Sequence, residues 1–220
     1  MRIAIVGGSF DPIHNGHIQM ANQSLQALQV DEVWFMPTSS TPLKDHELTL
    51  DQERLAMIDL VVQKNPKFKV CTLELERAGK SYTYDTLKEL IETYPEHEFY
   101  WIIGNDQLEQ FDKWYRADEL VKMAHFVCFD RDGMLADSQY DIVCMKMPSV
   151  PVSSSEIRMG NKLNYLPKEV LCYIYRNRLY VKDFVAARLT EKRYKHSLSV
   201  AKLCEEFALN NGYDMHIAYY

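Results

Sequence analysis

The sequence predicts an α/β protein: a Rossmann-like, doubly wound and mostly parallel sheet with helices on both faces, followed by a C-terminal helical tail. Short apolar runs alternate with segments of helical periodicity through most of the chain. The first apolar run ends in the glycine pair Gly7-Gly8, directly before a helical segment. Because crossovers between parallel strands of one sheet are right-handed and are usually helical, this alternation favours parallel strands.

The elements follow one another in a regular order. Runs rich in β-branched and aromatic residues predict strands at 2–6, 32–36, 69–73, 99–103, 125–129 and 142–144. Apolar residues at helical spacing predict helices at 16–28, 50–62, 84–93, 154–159 and 167–177. A longer amphipathic helix at 190–210 then precedes the stop signal Asn210-Asn211-Gly212. The predicted division is a main domain at 1–182 and a helical tail at 183–220.

Composition narrows the class of protein. A chain of 220 residues with 47% hydrophobic residues is long enough for one domain with a substantial core plus a small appendage. It shows no run of about 18 apolar residues and no secretory signal, so we expect a cytoplasmic protein that binds no membrane. The five cysteines form none of the close pairs that structural zinc sites and redox centres use, so we expect reduced thiols. The net charge of -6 argues against a nucleic-acid partner.

The turn after the first predicted strand carries the most informative string, GGSFDPIHNGH at residues 7–17. In an open parallel sheet, ligands bind beyond the carboxyl ends of the strands, where this turn lies. Gly7 and Gly8 would permit positive φ and a close approach of backbone to ligand. Gly16 would let the chain turn into a helix that starts near His17, and the free amides at that start would form an anion site.

Two histidines of this string, His14 and His17, stand three residues apart and can reach the same group. Either imidazole can hydrogen-bond non-bridging phosphate oxygens or neutralise charge as it develops. Two alternatives stay open on the residues alone. The glycine pair is compatible with an ordinary strand-to-helix turn, and the histidines with a zinc site, although no further ligand stands at zinc spacing nearby.

Three other segments could serve the same site. A predicted strand runs into the string GND at residues 104–106, whose carboxylate could accept hydrogen bonds from ribose hydroxyls or simply cap a helix. Trp114 stands among charged residues and could stack on a planar heterocycle or cover the edge of the core. Three serines at 153–155 could be an ordinary helix cap or, with Arg158, a polyphosphate clamp.

The string at residues 7–17 resembles the HxGH nucleotidyltransferase superfamily, and its extended form resembles the bacterial nicotinate-nucleotide adenylyltransferases. In the related phosphopantetheine adenylyltransferases, a threonine usually replaces the first histidine of the pair, whereas this chain has His14. Residues 152–158 resemble the family's ISSTxIR signature, with valine for isoleucine and serine for threonine. Residues 42–44 resemble its PHK segment, with Leu43 in place of the histidine.

This resemblance, which covers residues 1 to about 180, implies a role for each candidate residue. The catalytic pair would be His14 and His17. The mononucleotide site would place Ser81, Tyr82 and Thr83 on the nicotinate carboxylate and Trp114 under the pyridine ring. The ATP site would be built from residues of four segments: Gly8, Ser9, Phe10, Lys44, Gly104, Asp106, Ser153, Ser154, Ser155 and Arg158.

The implied reaction joins nicotinate mononucleotide to the AMP moiety of ATP, giving deamido-NAD and pyrophosphate. The 5′-phosphate oxygen would attack the α-phosphorus in line, so the protein must mainly position the substrates and stabilise charge. Mg²⁺ would be bound mainly through the ATP phosphates, with no protein ligand from the main domain. The alternatives are another adenylyl- or cytidylyltransferase with the same opening, and a nucleotide sensor without catalysis.

The tail carries a weaker resemblance. Residues 193–201 resemble the first helix of HD-type phosphohydrolases, in which the helix histidine, here His196, is a metal ligand. No His-Asp doublet follows before Tyr220, so we expect the tail to be the truncated start of such a domain, without phosphohydrolase activity. The tail could pack on the main domain, pair between chains in a homo-oligomer, or be partly disordered.

Overall fold

The fold is built on one parallel sheet. The computed structural model describes residues 1–38, 48–77, 82–130 and 138–214. Its six strands are β1 (Arg2–Gly8), β2 (Glu32–Pro37), β3 (Phe68–Val70), β4 (Glu98–Gly104), β5 (His125–Asp130) and β6 (Val143–Lys146). Every pairing of neighbours is parallel, and the order across the sheet is β3-β2-β1-β4-β5-β6. This is the doubly wound order of the Rossmann fold, as the sequence predicts.

Helices connect the strands and close the chain. Between β1 and β5 they are α1 (Asn15–Ala27), α2 (Asp51–Val62), α3 (Leu73–Glu76), α4 (Thr83–Thr93), α5 (Asn105–Leu108) and α6 (Ala117–Met123), with a 3-10 turn at Phe111–Lys113. After β6 come α7 (Ser154–Arg158), a 3-10 turn at Leu163–Tyr165, α8 (Lys168–Arg176), α9 (Val181–Ala186) and α10 (Glu191–Asn211).

The sheet separates two hydrophobic cores, because successive side chains of a strand point to opposite faces. Ala4 and Val6 of β1 belong to the core that α1, α2 and α8 cover. Ile3 and Ile5 belong to the core that α4 and α6 cover. Helices on both faces leave the carboxyl edge of the strands open for a ligand.

The structure differs from the sequence prediction at several elements. The strand predicted at 69–73 begins at Phe68 and ends at Val70, because the amides of Leu75 and Glu76 bond to the Thr72 carbonyl and start α3. The short helices α3 and α6, and the helix α9, were not predicted, whereas α5 begins where a helix start was expected after Gly104. Propensity is a weak signal for such short helices, since their stability depends on tertiary packing.

The tail is helical, as predicted. α9 spans the predicted boundary between residues 182 and 183. α10 ends at Asn211, and the φ of 72° at the following Gly212 is the left-handed conformation typical of a helix stop. In the ranges given above, no helix is both long and apolar enough to cross a bilayer.

Candidate active site

The candidate site lies where the strand order reverses. β1 pairs with β2 on one side and with β4 on the other. The connection that follows β1 and the connection that follows β4 therefore run over opposite faces of the sheet. A crevice at the carboxyl edge of such a sheet is the usual ligand site of doubly wound folds. The loop at residues 9–14 follows β1 at that edge, and α5 follows β4.

The two histidines lie face to face at the start of α1. Their ring centroids are 3.8 Å apart, with an angle of 23° between the planes. The Gly16 amide donates to Nδ1 of His14 at 3.2 Å, and the His14 amide donates to Nδ1 of His17 at 3.3 Å. Since both Nδ1 atoms accept an amide hydrogen, the proton of each neutral ring is assigned to Nε2. Both rings therefore carry an Nε2–H group at one helix start, where His14 is 4% exposed.

Gly16 is required by the His14 ring. A Cβ at Gly16 would lie 3.0 Å from both Cε1 and Nδ1 of that imidazole, closer than nearly all real Cβ contacts. The glycine therefore serves the close approach of its amide to His14. His14 is also the N-cap of α1, so the helix begins at Asn15 and not near His17 as predicted.

The prediction for the glycine pair is wrong in its geometry. Gly7 and Gly8 end β1 without positive φ, and it is Phe10 that adopts the left-handed conformation, with φ of 47°. A Cβ at Gly8 would meet the Phe10 ring at 3.4 Å. That is an ordinary van der Waals distance, so Gly8 packs on the Phe10 ring without being required by it. The Phe10 ring also lies edge-on to His17, with the ring centroids 4.9 Å apart.

Asp11 organises the loop, and the sequence analysis missed it. Its buried carboxylate accepts hydrogen bonds from the Thr49 amide at 3.2 Å and from the Tyr180 hydroxyl at 2.8 Å. Burial, together with the Asp11 charge, raises the pKa of Tyr180 far above its usual range, so the hydroxyl stays a donor. The Asp11 carbonyl accepts from Nη1 of Arg158 at 2.7 Å.

Arg54 of α2 is a second residue that the sequence analysis missed. Its side chain is 0% exposed and donates to the carbonyls of Ser9, at 2.6 Å, and Thr49, at 3.1 Å, as well as to the Asp51 carboxylate. A fully buried guanidinium is tolerated only where its donors are matched. The sequence did offer a signal for this role, because Arg54 stands three residues before Met57 and therefore on the same buried face of the predicted helix.

The predicted phosphate clamp lies against the loop. Ser153 is the N-cap of α7 and accepts from the Glu156 amide at 3.3 Å. The Ser154 hydroxyl donates to the Pro12 carbonyl at 3.0 Å. Arg158, which bonds the Asp11 carbonyl, also donates to the Ser155 hydroxyl at 3.3 Å. The structure therefore brings the serines and Arg158 to the histidine loop, 142 residues away in sequence.

The end of β4 lies at the same edge. Gly104 is the N-cap of α5, and Asp106 is exposed in its first turn. The Asn105 side chain donates to the buried Asp130 carboxylate at 2.7 Å and accepts from the Cys128 thiol at 3.2 Å. Asn105 thus ties the ends of β4 and β5 together, a role that the sequence analysis did not assign.

The predicted mononucleotide residues are only partly brought together. Tyr82 precedes Thr83 at the start of α4, and its ring lies 5.1 Å from that of Tyr115. Trp114 is half-buried, with its ring 5.1 Å from Phe111. The Tyr115 ring therefore contacts Tyr82, whereas the Trp114 ring contacts the core residues Phe111 and Phe126. Two further predicted site residues, Lys44 and Ser81, lie outside the described residues.

The arrangement can bind a polyphosphate. Imidazole N–H groups, the Ser155 hydroxyl and the Arg158 guanidinium lie at one loop at the carboxyl edge of the sheet, and such groups donate to phosphate oxygens. In the described ranges no three His, Cys, Asp or Glu side chains are grouped to hold a metal ion. Fold and donors together define a nucleotide-binding α/β protein of the nucleotidyltransferase type.

Comparison with known proteins specifies the class. The family model described as cytidylyltransferase-like matches residues 5–160, a range that contains the histidine pair and the clamp. A probable nicotinate-nucleotide adenylyltransferase of Geobacillus kaustophilus is 43% identical over 185 residues, with 81% of this chain and 86% of the relative covered. The corresponding protein of Bacillus licheniformis is 44% identical over 185 residues, covering 81% of this chain and 98% of that relative.

A solved structure agrees. The Plasmodium falciparum nicotinic acid mononucleotide adenylyltransferase complexed with NaAD superimposes with a TM-score of 0.70 at 25% identity, covering 81% of this chain and 97% of that chain. The chain therefore belongs to the cytidylyltransferase-like family and, within it, to the nicotinate-nucleotide adenylyltransferases.

Proposed function

We propose that this chain transfers AMP from ATP to nicotinate mononucleotide, releasing pyrophosphate and deamido-NAD. The observation that carries the proposal is the stacked pair His14 and His17, with both Nδ1 atoms engaged by backbone amides at a helix start. Relatives that are at least 40% identical to this chain over 184 or 185 aligned residues are named as probable nicotinate-nucleotide adenylyltransferases.

Transfer requires charge stabilisation more than a covalent nucleophile. An oxygen of the mononucleotide 5′-phosphate forms a bond to the α-phosphorus of ATP, while the bond from that phosphorus to the β-phosphate bridging oxygen breaks. Negative charge moves toward the departing pyrophosphate. The Nε2–H groups of His14 and His17 donate to α- and β-phosphate oxygens, where they stabilise that charge without any reorganisation of the site.

The remaining ATP contacts come from the surrounding segments. We assign the β- and γ-phosphates to Arg158 and the Ser155 hydroxyl, since α7 lies against the loop that carries the histidines. The Ser153 and Ser154 hydroxyls were predicted to join them, but they already donate to the Glu156 carboxylate and the Pro12 carbonyl. Gly8 and Ser9 are assigned to the same edge, as are Gly104 and Asp106, whose carboxylate can accept from ribose hydroxyls. Phe10 was predicted to join them, but it is 0% exposed and belongs to the hydrophobic core beneath the loop. Lys44 is assigned to the triphosphate on sequence grounds.

We propose that Mg²⁺ enters the site bound to ATP. The donors described above are N–H and O–H groups, which suit phosphate oxygens, whereas Mg²⁺ prefers oxygen ligands. The ion would be held by the ATP phosphates and water, and it would neutralise phosphate charge there.

The mononucleotide is assigned to the region around the start of α4. Ser81, Tyr82 and Thr83 would contact the nicotinate carboxylate through neutral donors, and Trp114 would support the pyridine ring. Since Tyr82 is 42% exposed and lies beside Tyr115, which is 52% exposed, Tyr115 offers a second aromatic surface for that ring.

A substrate panel tests the proposed function. Pyrophosphate release is measured with nicotinate or nicotinamide mononucleotide as acceptor and with ATP or CTP as donor. We expect the highest kcat/KM with nicotinate mononucleotide and ATP. A preference for CTP, or for another acceptor, would assign the chain to a different transferase, and ATP binding without product would make it a nucleotide sensor.

The tail and the setting complete the proposal. Residues 183–220 are proposed as a helical appendage related to the start of an HD-type domain, in which exposed His196 would bind a metal only with ligands from further segments. We expect the purified 220-residue chain to hydrolyse no dinucleoside polyphosphate in the presence of a divalent metal. The enzyme is proposed to act in the cytoplasm on small molecules, and sedimentation would distinguish a monomer from a homo-oligomer.

A further inference from the structure

The tail helix α9 packs against the C-terminal end of α7, the helix of the proposed phosphate clamp. Gly160, which follows α7, has a φ of +77°, and a Cβ built on it would lie 2.4 Å from Cδ2 of Phe184. With the Phe184 ring in this position, no side chain larger than hydrogen fits between that backbone and the ring. The ring therefore packs directly on the chain as it leaves α7.

Arg188 adds a polar contact at the same place. Its Nη1 donates to the Met159 carbonyl at 2.6 Å and to the Phe184 carbonyl at 3.1 Å. The guanidinium lies 3.7 Å from the centroid of the Phe184 ring, within the range of a cation–π interaction. Because Met159 ends α7, Arg188 satisfies a carbonyl that has no partner within the helix and places positive charge at the helix C-terminus.

A second contact from the same part of the chain reaches the histidine loop. Tyr180, the residue before α9, donates to the Asp11 carboxylate, and the Asp11 carbonyl accepts from Arg158 of α7. Residues 180–188 thus hold both the loop and the end of the helix that packs on it. This segment lies beyond residues 5–160, the range matched by the family model.

We propose that Phe184 and Arg188 are positioning residues for the ATP triphosphate. They contact no substrate in this proposal. They hold α7 in the position from which Ser154 bonds the Pro12 carbonyl and Arg158 bonds the Asp11 carbonyl, so that the clamp and the histidine pair face the same phosphates. The proposal rests on the assignment of α7 to ATP made above.

The proposal has a signature that general destabilisation lacks. α9 packs against α7, whereas Tyr82 and Thr83, which are assigned to the mononucleotide, lie at the start of α4, and Trp114 follows the 3-10 turn before α6. A less firmly held α7 should therefore weaken the binding of ATP and leave the binding of the mononucleotide nearly unchanged. A misplacement of about 1 Å in a positioning group can cost up to about 100-fold in rate, so a measurable change is expected.

The experiment compares Phe184→Ala, Arg188→Ala and Arg188→Lys with wild type in the full chain. For the two alanine variants we expect the KM for ATP to rise about tenfold, while the KM for nicotinate mononucleotide changes less than about twofold. Arg188→Lys should recover most of the loss, because an ammonium group can still donate to the Met159 carbonyl. The matched control is Arg176→Ala, an exposed arginine at the end of α8, which should behave as wild type.

The outcomes separate this proposal from the ATP-site assignment. Arg158→Ala is measured in parallel and should raise the KM for ATP. If it does and Arg188→Ala does not, the positioning role is overturned while the clamp stands. If Arg158→Ala leaves the KM for ATP unchanged, the clamp assignment fails and takes the positioning role with it. Equal rises in both KM values would also overturn the role, and Phe184→Leu supplies the comparison if an alanine variant does not fold.

Discussion

The Tyr180 hydroxyl donates a hydrogen bond to the Asp11 carboxylate at 2.8 Å, across 169 residues of sequence. This bond joins the segment after α8 to the loop that carries the histidine pair. Asp11 is 0% exposed, so its carboxylate depends on protein donors for the hydrogen bonds that water would otherwise supply.

Tyr180→Phe tests this bond. The substitution keeps the ring and removes one donor from a buried carboxylate, so the free energy of unfolding should fall by about 1 to 3 kcal/mol. Urea denaturation at neutral pH measures the change. Tyr175→Phe is the matched control, since Tyr175 is 65% exposed, and its loss should be under about 0.5 kcal/mol. Equal losses in both variants would contradict a special role for the bond.

His17→Ala tests the histidine pair. The variant loses one Nε2–H donor to the transition state, and kcat should fall by about 100- to 1,000-fold. Pyrophosphate release gives kcat, and far-UV circular dichroism verifies that the fold persists. His125→Ala, an exposed histidine at the start of β5, is the control and should retain full turnover. Full activity of the His17 variant would remove it from the mechanism.

Arg54→Met tests the support beneath the loop. A methionine of similar length leaves the carbonyls of Ser9 and Thr49 without these donors, so the free energy of unfolding should fall by about 3 kcal/mol. Thermal and urea unfolding measure it. Lys64→Met removes a surface cation that pairs with Glu169, and should cost at most about 1 kcal/mol. If the two variants lose equal stability, the buried guanidinium does not support the loop.

Glu74 predicts a pH dependence of stability. Burial raises its pKa above the ordinary value of 4.5, against the opposing hydrogen bond from Thr86. As pH rises from 4.5 toward the raised value, the unfolded chain ionises first while the folded chain keeps its proton. The folded state therefore loses stability over that window, and the loss stays constant above it.

Glu74→Gln should abolish this loss. The variant should gain stability relative to wild type as pH rises above 4.5, because an amide does not ionise. Urea unfolding from pH 4 to pH 8 measures the difference. Glu92→Gln, on the exposed face of α4, is the control and should run parallel to wild type. A pH-independent difference between Glu74→Gln and wild type would contradict the raised pKa.

Much of the candidate site could be predicted because it is local in sequence. The string at residues 7–17 contains both histidines, the N-cap and the glycine that the His14 ring requires. The serines and Arg158 also stand in one short segment. The conformation of the glycine pair could not be predicted, since glycine tolerates many conformations. In the structure both residues are extended and belong to β1.

Trp114 shows the opposite case. A tryptophan among charged residues fits an exposed platform and a core edge equally well, and the ring contact with Phe111 at 5.1 Å documents the core edge. Tyr115, its neighbour, contacts Tyr82 instead. Which of two adjacent aromatic side chains points outward depends on how the 3-10 turn at Phe111–Lys113 is oriented, and spacing does not encode that.

The sequence by itself determined the parallel α/β sheet, the helical tail and the histidine string, because periodicity and motif spacing are properties of neighbouring residues. Only the tertiary structure decided that Asp11 joins Tyr180, that Arg54 lies beneath Ser9, and that α9 packs on the end of α7. These contacts join segments that are distant in sequence. Buried polar groups require partners wherever the fold brings them, so the partners become visible only when the chain has packed.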